Sequence, residues 1–572
     1  MERERRRHHS SGPTTSGATH IQDISKWLPG IRVLREYKRE WLPRDLIAGL
    51  VLSALLVPQG MAYAELAGLP AINGLYTTVI CLIAYAAVGP SPFLVLGPDS
   101  ALGAMIAATV LPLAAGSTDQ AVTLAGMLAL FVGIVCVTAA ALKLGFVADL
   151  LSRPIRAGYL AGLAVTIVVG QLPKLFGFSV DAEGLLQELA ATWQNLPQTN
   201  PYALAIGLID LVLIIGLKRG GSKIPGVLVA VLFSILMVNV FNLTERGVAV
   251  IGALPQGFPA PSFPAASLSA VPTLAAASIG ISLVAIGDTI STSAGFAARR
   301  GYEVNSNREL AGIGSANVLL AFFQGFPVST SSSRTAVAEQ SGARTQLTGV
   351  VAAASVLVML LFLPGLMRNL PQPALAALVI AAGTSLVDLR ELRQLFVMRK
   401  TEFALAVACG LGVALVGVLG GIVIAVSLAI LQFFERSWRP YSTVLGRPEG
   451  VAGFHDIIRY PDAEQIPGVL ILRWDAPLFF ANASLFRDMV RERLAEAEPR
   501  PRWILLAAEP ITDVDTTAAE LLADLDIELN DQHVHLAFAG LKDPVKDTMI
   551  SYGLLDTIDA RHFFPTLENA VE

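Results

Sequence analysis

Two stretches decide the fold: Pro92-Phe-Leu-Val-Leu-Gly-Pro-Asp-Ser-Ala101 and Phe326-Pro-Val-Ser-Thr-Ser-Ser-Ser-Arg-Thr-Ala336. Each is a short extended run with a proline break, and each leads into a helical stretch. Each also interrupts a long succession of apolar segments. A proline in a helix start is tolerated because its missing N–H would be unpaired there, so Pro98 is predicted in a first turn. Ser100 after the first break, and the serines and Arg334 after the second, put polar groups beside exposed helix N-terminal N–H groups.

The surrounding composition says what these breaks interrupt. Of 572 residues 53% are hydrophobic and 15% charged, with a mean hydropathy of +0.59. Soluble chains carry about 25% charged residues. So few charges cannot cover the surfaces of several soluble domains, and a net charge of -5 with no long basic face argues against nucleic-acid binding. The three cysteines, Cys81, Cys136 and Cys409, stand singly in apolar runs and imply neither a disulfide framework nor a zinc site. The chain reads as a polytopic α-helical membrane protein.

A spanning helix needs about 20 residues. Candidate spans begin near Leu46, Ile72, Pro98, Ala121, Ile155, Pro201, Ile224, Thr273, Glu309, Ser331, Thr345, Gln372, Phe403 and Gly420, fourteen in all, two of them short. Basic loops at Arg153/Arg156, Lys218/Arg219/Lys223, Arg299/Arg300/Arg308, Arg344 and Arg390/Arg393/Arg399/Lys400 follow even-numbered spans. That bias puts both termini in the cytoplasm, and an even number of crossings requires the same. Residues 1–44, with ten Lys/Arg against five carboxylates, are expected to be a basic cytoplasmic tail and not a cleaved signal peptide; a metal or nucleic-acid patch at His8 and His9 is the other reading.

The breaks fall in the third span and in the tenth, which is the third of a second set of seven. Interrupted segments at matching positions of two halves point to inverted repeats, here about 45–242 and 272–436 within a transport domain of 45–436. Half-helix N-termini that meet in such a fold attract an anion. Arg334 sharpens this, because a charge at mid-membrane normally faces a cavity or a partner and its planar donors match oxyanions. As a structural partner, Asp99 or Asp288 would serve. Asp288 lies in the apolar stretch 279–296 with Thr292 one turn on. The pair is read as a coupling site for a proton or sodium ion, or Asp288 as a fixed counter-ion of Arg334.

After a linker at 437–466, residues 467–572 alternate strands (469–474, 503–508, 533–539) with helices (483–497 and near 517–529), a small α/β domain. No nucleophile elbow, P-loop or zinc motif supports an enzyme, and no metal site or cofactor is expected.

These residues resemble the sulfate permease (SulP) family of anion transporters. The resemblance is carried by Val57-Pro-Gln-Gly-Met-Ala-Tyr-Ala-Glu-Leu-Ala-Gly-Leu-Pro70, Gly74-Leu-Tyr76, Gly97-Pro98, Ala285-Ile-Gly-Asp288, Gly325–Ala336 and Ser341-Gly-Ala-Arg-Thr345. Asp513-Val-Asp-Thr-Thr-Ala518 and Phe538-Ala-Gly-Leu-Lys-Asp-Pro-Val545 make the C-terminal domain similar to a STAS domain. The resemblance implies fourteen segments as two inverted seven-helix repeats, divided into core and gate, a homodimer, and an elevator-like movement. It nominates Gln59, Asp99, Ser100, Ser332, Ser333 and Arg334 for the anion. Asp99 departs from the family's commoner neutral residue. Thr516 matches a phosphorylatable hydroxyl of STAS proteins, although ordinary helix capping accounts for it as well.

The expected function is transport of a small, sulfate-like oxyanion across a cell membrane, coupled to a proton or sodium. Bicarbonate or a dicarboxylate on the same architecture is an alternative, as is an anion receptor whose STAS domain signals to a cytoplasmic partner.

Overall fold

A computed structural model describes residue 30 and residues 36–145, 153–180, 182, 184–221 and 225–572. Most of the basic leader, together with Lys223 and the predicted span start at Ile224, lies outside these residues. The chain divides into two compact units, Met1–Ala429 and Ile430–Glu572.

The first unit opens with α1 (Leu42–Leu66), α2 (Ala71–Val88), a short strand β1 (Leu96–Gly97), α3 (Ser100–Ala114) and α4 (Thr118–Ala141). α5 (Arg153–Phe176), α6 (Leu185–Asn195), α7 (Pro201–Arg219) and α8 (Gly226–Phe241) follow. The chain then repeats the theme with α9 (Val271–Arg300), α10 (Ser306–Ala321), β2 (Ser329–Thr330), α11 (Ser332–Gln340), α12 (Leu347–Phe362) and α13 (Gln372–Thr384). It continues through α14 (Leu389–Met398), α15 (Lys400–Val416) and α16 (Val418–Trp438). Among the described residues, seven helices are long and apolar enough to cross a membrane, and α3, α8 and α12 are shorter apolar helices.

Packing partners recur in the two halves. α12 packs on α1 and α2, while α4 packs on α9 and α10; α15 packs on α5, and α13 on α7. Glycine permits the closest of the approaches between α1 and α2: a Cβ built on Gly74 would lie 1.9 Å from the Gly60 carbonyl oxygen. Asparagine and aspartate side chains cap several helix starts: Asn200 accepts from the Tyr202 and Ala203 N–H groups, Asn305 from that of Arg308 and Asp388 from those of Arg390 and Glu391. α6 and α14 are short amphipathic helices between apolar ones that the span count does not anticipate.

Ile430–Glu572 holds a six-stranded sheet in the order β4-β3-β5-β6-β7-β8. Its strands are β3 (Ser442–Gly446), β4 (His455–Asp456), β5 (Val469–Trp474), β6 (Trp503–Ala507), β7 (His535–Ala539) and β8 (Phe563–Phe564). β5 to β8 run parallel, and β3 is antiparallel to both β4 and β5. Alternation along each strand buries both faces. Leu470, Leu472, Ile504, Leu506, Leu536 and Phe538 meet α17 (Ala483–Glu496), α18 (Thr516–Asp531) and α19 (Asp543–Ser551). Ile471, Leu505 and Ala537 lie on the other face with α20 (Leu567–Val571). β5 and α17 sit where the sequence predicts them. β7 begins two residues later, because His533 turns the chain at φ 60°.

Candidate functional site

The two interrupted segments meet. β1 and β2 pair antiparallel, Leu96 opposite Thr330 and Gly97 opposite Ser329, and each strand runs directly into a helix, α3 or α11. Backbone that leaves a helix inside an apolar fold must find other partners. Here side chains supply them. Thr335 Oγ1 accepts the Val95 N–H at 3.1 Å, and Gln346 Nε2 donates to the carbonyls of Ser91 and Leu94 at 2.8 and 3.0 Å. Asn317 serves both groups of Val328, accepting its N–H at 3.0 Å and donating to its carbonyl at 3.3 Å. Thr77 Oγ1 accepts the Phe326 N–H at 3.3 Å.

Arg334, on the first turn of α11, is 1% exposed. Its Nη1 donates to the Pro98 carbonyl and its Nη2 to the Gly97 carbonyl at 3.2 Å, so it binds the opposite break directly. The guanidinium packs against Gly97, its carbon 3.4 Å from where a Cβ would stand, an ordinary van der Waals distance. Nη2 also lies 4.0 Å from Asp99 Oδ2, and Nε has no hydrogen-bond partner among the described residues. Neutral carbonyls orient the guanidinium without cancelling its charge.

Pro98 is not in a first turn. Asp99 is the N-cap, its side chain accepting the Ala101 N–H at 2.9 Å, so the helix starts at Ser100 and Pro98 stays outside it, presenting its carbonyl to Arg334.

The nominated residues fall into place around this centre. Ser100 is buried at the start of α3. Ser332 and Ser333 are exposed at the start of α11. The Ser332 hydroxyl meets Thr292 Oγ1 of α9 at 2.9 Å, and that of Ser333 meets Ser331 at 3.0 Å. Gln59 of α1 is buried with its Oε1 unpartnered among the described residues. Tyr63, one turn further on, is buried and feels the charges of both Arg334 and Asp99. Asp288 lies one turn before Thr292. Of the two carboxylates, Asp99 is the one within ion-pair distance of Arg334, at 4.0 Å. Asp210 of α7 is buried and accepts the Ser234 hydroxyl at 2.5 Å.

Sequence reasoning passed over Tyr63 and the tie at Glu309, a buried carboxylate that accepts from Tyr85 at 2.6 Å and from Ser91. Tyr63 stands inside the quoted Val57–Pro70 segment, and its helical spacing from Gln59 was the available signal. In the second unit, Asp515 caps α18 through the Ala518 N–H at 2.8 Å and accepts the Phe480 N–H at 2.8 Å, which leaves Thr516 exposed at the helix start. Among the described residues no cluster of His, Cys, Asp or Glu is arranged to hold a metal.

Comparison with known proteins matches residues 42–409 to the pattern of the Sulfate permease family and 460–570 to that of the STAS domain. A probable sulfate transporter of Mycobacterium tuberculosis H37Rv is 39% identical over 546 residues, 96% of this chain and 98% of that one. The chloroplastic sulfate transporter 4.1 of Arabidopsis thaliana is 30% identical over 571 residues, covering 96% of this chain and 82% of that protein. In fold, the murine anion transporter Slc26a9 in its inward-facing state superposes with a TM-score of 0.88 at 22% identity, over 99% of both chains. The transmembrane domain of the cyanobacterial bicarbonate transporter BicA gives 0.61 at 22% identity, over 69% of this chain and 97% of that one.

Proposed function

This chain belongs to the sulfate permease family, with a helical membrane transporter fold and a C-terminal STAS domain, and from that premise we propose that it is a secondary active transporter of a small, sulfate-like oxyanion. The observation behind this is the junction of the two breaks: a buried guanidinium, held by the carbonyls of Gly97 and Pro98, stands where two helix N-termini converge. Helix starts favour anions, and a planar cation in a poorly hydrated setting favours oxyanions. Gln59, Ser100, Ser332, Ser333 and Arg334 line the seat, and Asp99 stands within it beside Arg334. The names of the Mycobacterium and Arabidopsis relatives favour sulfate.

Asp288 and Thr292 are the coupling residues, loading a proton or sodium ion beside the anion. The Thr292–Ser332 hydrogen bond joins that helix to the start of α11. Fourteen segments form two inverted repeats, a scheme supported by the exchange of partners in which α12 lies on α1 and α2 as α4 lies on α9 and α10. The core carries the seat past a gate in an elevator-like motion. The protein resides as a homodimer in a cell membrane with both termini cytoplasmic, and the STAS domain, with Thr516 exposed, meets a cytoplasmic partner.

The test is uptake into proteoliposomes of labelled sulfate, bicarbonate, dicarboxylates and chloride, with proton and sodium gradients imposed separately. Sulfate accumulation driven by one of the two gradients is the expected result. Saturable binding without flux would make the protein a receptor and overturn the proposal.

A further inference from the structure

We propose that Asp99 is a tethered competitor of the transported anion: its carboxylate fills the electropositive seat between the start of α3 and Arg334, and a free oxyanion binds only by displacing or neutralising it. This rests on the reading of that seat as the anion site.

The carboxylate already makes the contacts an oxyanion would seek. One oxygen accepts the Ala101 N–H at 2.9 Å, one of the orphan donors of the helix start. The other faces Arg334 at 4.0 Å, near enough for charge attraction and too far for a hydrogen bond. Arg334 spends both terminal nitrogens on neutral carbonyls, so its positive charge is answered by a carboxylate that is not locked to it. Burial separates the two partners: the Arg334 side chain is 2% exposed and that of Asp99 16%. The cation is fixed by its two carbonyls, and the carboxylate is the more exposed of the pair.

An unfilled donor shows that the carboxylate does not satisfy the seat: Arg334 Nε is buried without a partner among the described residues. A carboxylate anchored at Cα of residue 99 meets one helix-start N–H and leaves that Nε open, whereas a free oxyanion with several oxygens has more acceptor positions to offer. An N-cap side chain is held by little more than a single hydrogen bond, so rotation about its χ1 releases the seat at small cost. A dianion gains most from that release, because it meets the strongest repulsion while the carboxylate remains.

Asparagine and serine both keep the cap while removing the charge, so Asp99→Asn and Asp99→Ser test the charge without unmaking the helix. Equilibrium binding of labelled sulfate to the full-length protein is measured for wild type, both variants and Arg334→Lys, with melting curves to verify folding and chloride as a monovalent probe. Both neutral caps are expected to lower half-saturating sulfate about tenfold, as removal of a resident anion from a helix start predicts, and to improve chloride less. Unchanged or weaker sulfate binding in folded Asp99→Asn and Asp99→Ser, with Arg334→Lys impaired, overturns the competitor role and leaves the anion site standing. Unchanged binding in Arg334→Lys overturns both, because the seat is then elsewhere.

Discussion

Replacing Gly74 with alanine is expected to damage the protein far more than the same replacement at Gly60, although the two glycines face each other. A methyl on Gly74 would lie 1.9 Å from the Gly60 carbonyl oxygen, 2.4 Å from its carbon and 3.1 Å from the Ala64 methyl. These first two atoms are helix backbone and cannot rotate aside. α1 and α2 must therefore part by about 1 Å, an overpacking cost near the upper end of the usual range, about 3 kcal/mol. A methyl on Gly60 instead meets Thr78 Oγ1 at 2.9 Å and the Gly74 carbonyl oxygen at 3.0 Å. Shifts of a few tenths of an ångström relieve that, for about 1 kcal/mol. Gln59 is the chain neighbour of Gly60, so parting the helices also moves the seat. Loss of one well-made hydrogen bond to the anion raises half-saturating sulfate about tenfold in Gly74→Ala. Thermal unfolding of the detergent-purified protein and sulfate titration read the two effects. Equal melting temperatures for the two variants, or a reversed order, would refute the helix contact.

Arg334→Lys is expected to fold but to bind sulfate at least about tenfold more weakly, because one ammonium cannot serve both carbonyls and the anion; wild-type affinity in a sulfate titration would contradict this. Thr335→Val leaves the Val95 N–H without its acceptor, at about 1–3 kcal/mol, while Thr335→Ser should restore most of the stability; equal melting of the valine and serine variants would exclude the bond. Burial pushes the Asp526 carboxyl up to about 6, opposed by the Asn530 hydrogen bond and by His535. An acid with a raised folded-state pKa stabilises the fold while protonated, so its contribution is full below about pH 4 and fades as pH rises to 6. Asp526→Asn should abolish that slope and strengthen α18 by about 1–2 kcal/mol at pH 7, as read by hydrogen exchange of its amides in the full-length chain; unchanged protection at pH 7 would rule this out.

The helical segments and the two breaks were legible because each is written locally, in apolar runs and in proline and serine punctuation. The pairing of Gly97 with Ser329 was not, because it depends on segments far apart in the chain with no periodicity to announce it. Pro98 misled for a related reason. A proline before Asp-Ser reads as a helix start, but the aspartate side chain takes the cap and shifts the first turn on by two residues. Arg334 announced itself as a buried charge, but its double grip on carbonyls required the geometry. The polar residues that look anomalous in an apolar sequence, Thr77, Asn317, Thr335 and Gln346, are explained by backbone they must satisfy elsewhere. In the C-terminal domain, β4 and β8 are only two residues long, too short to carry an alternating pattern.

The reciprocal dependence of the two breaks bears on biogenesis. The carbonyls of Gly97 and Pro98 and the N–H of Val95 find their partners on Arg334 and Thr335, which the ribosome makes much later. A nascent N-terminal half inserted in the bilayer thus carries unsatisfied peptide groups until the second half arrives. Neither half is a finished unit by itself. Two separately encoded halves should therefore become long-lived only when made together.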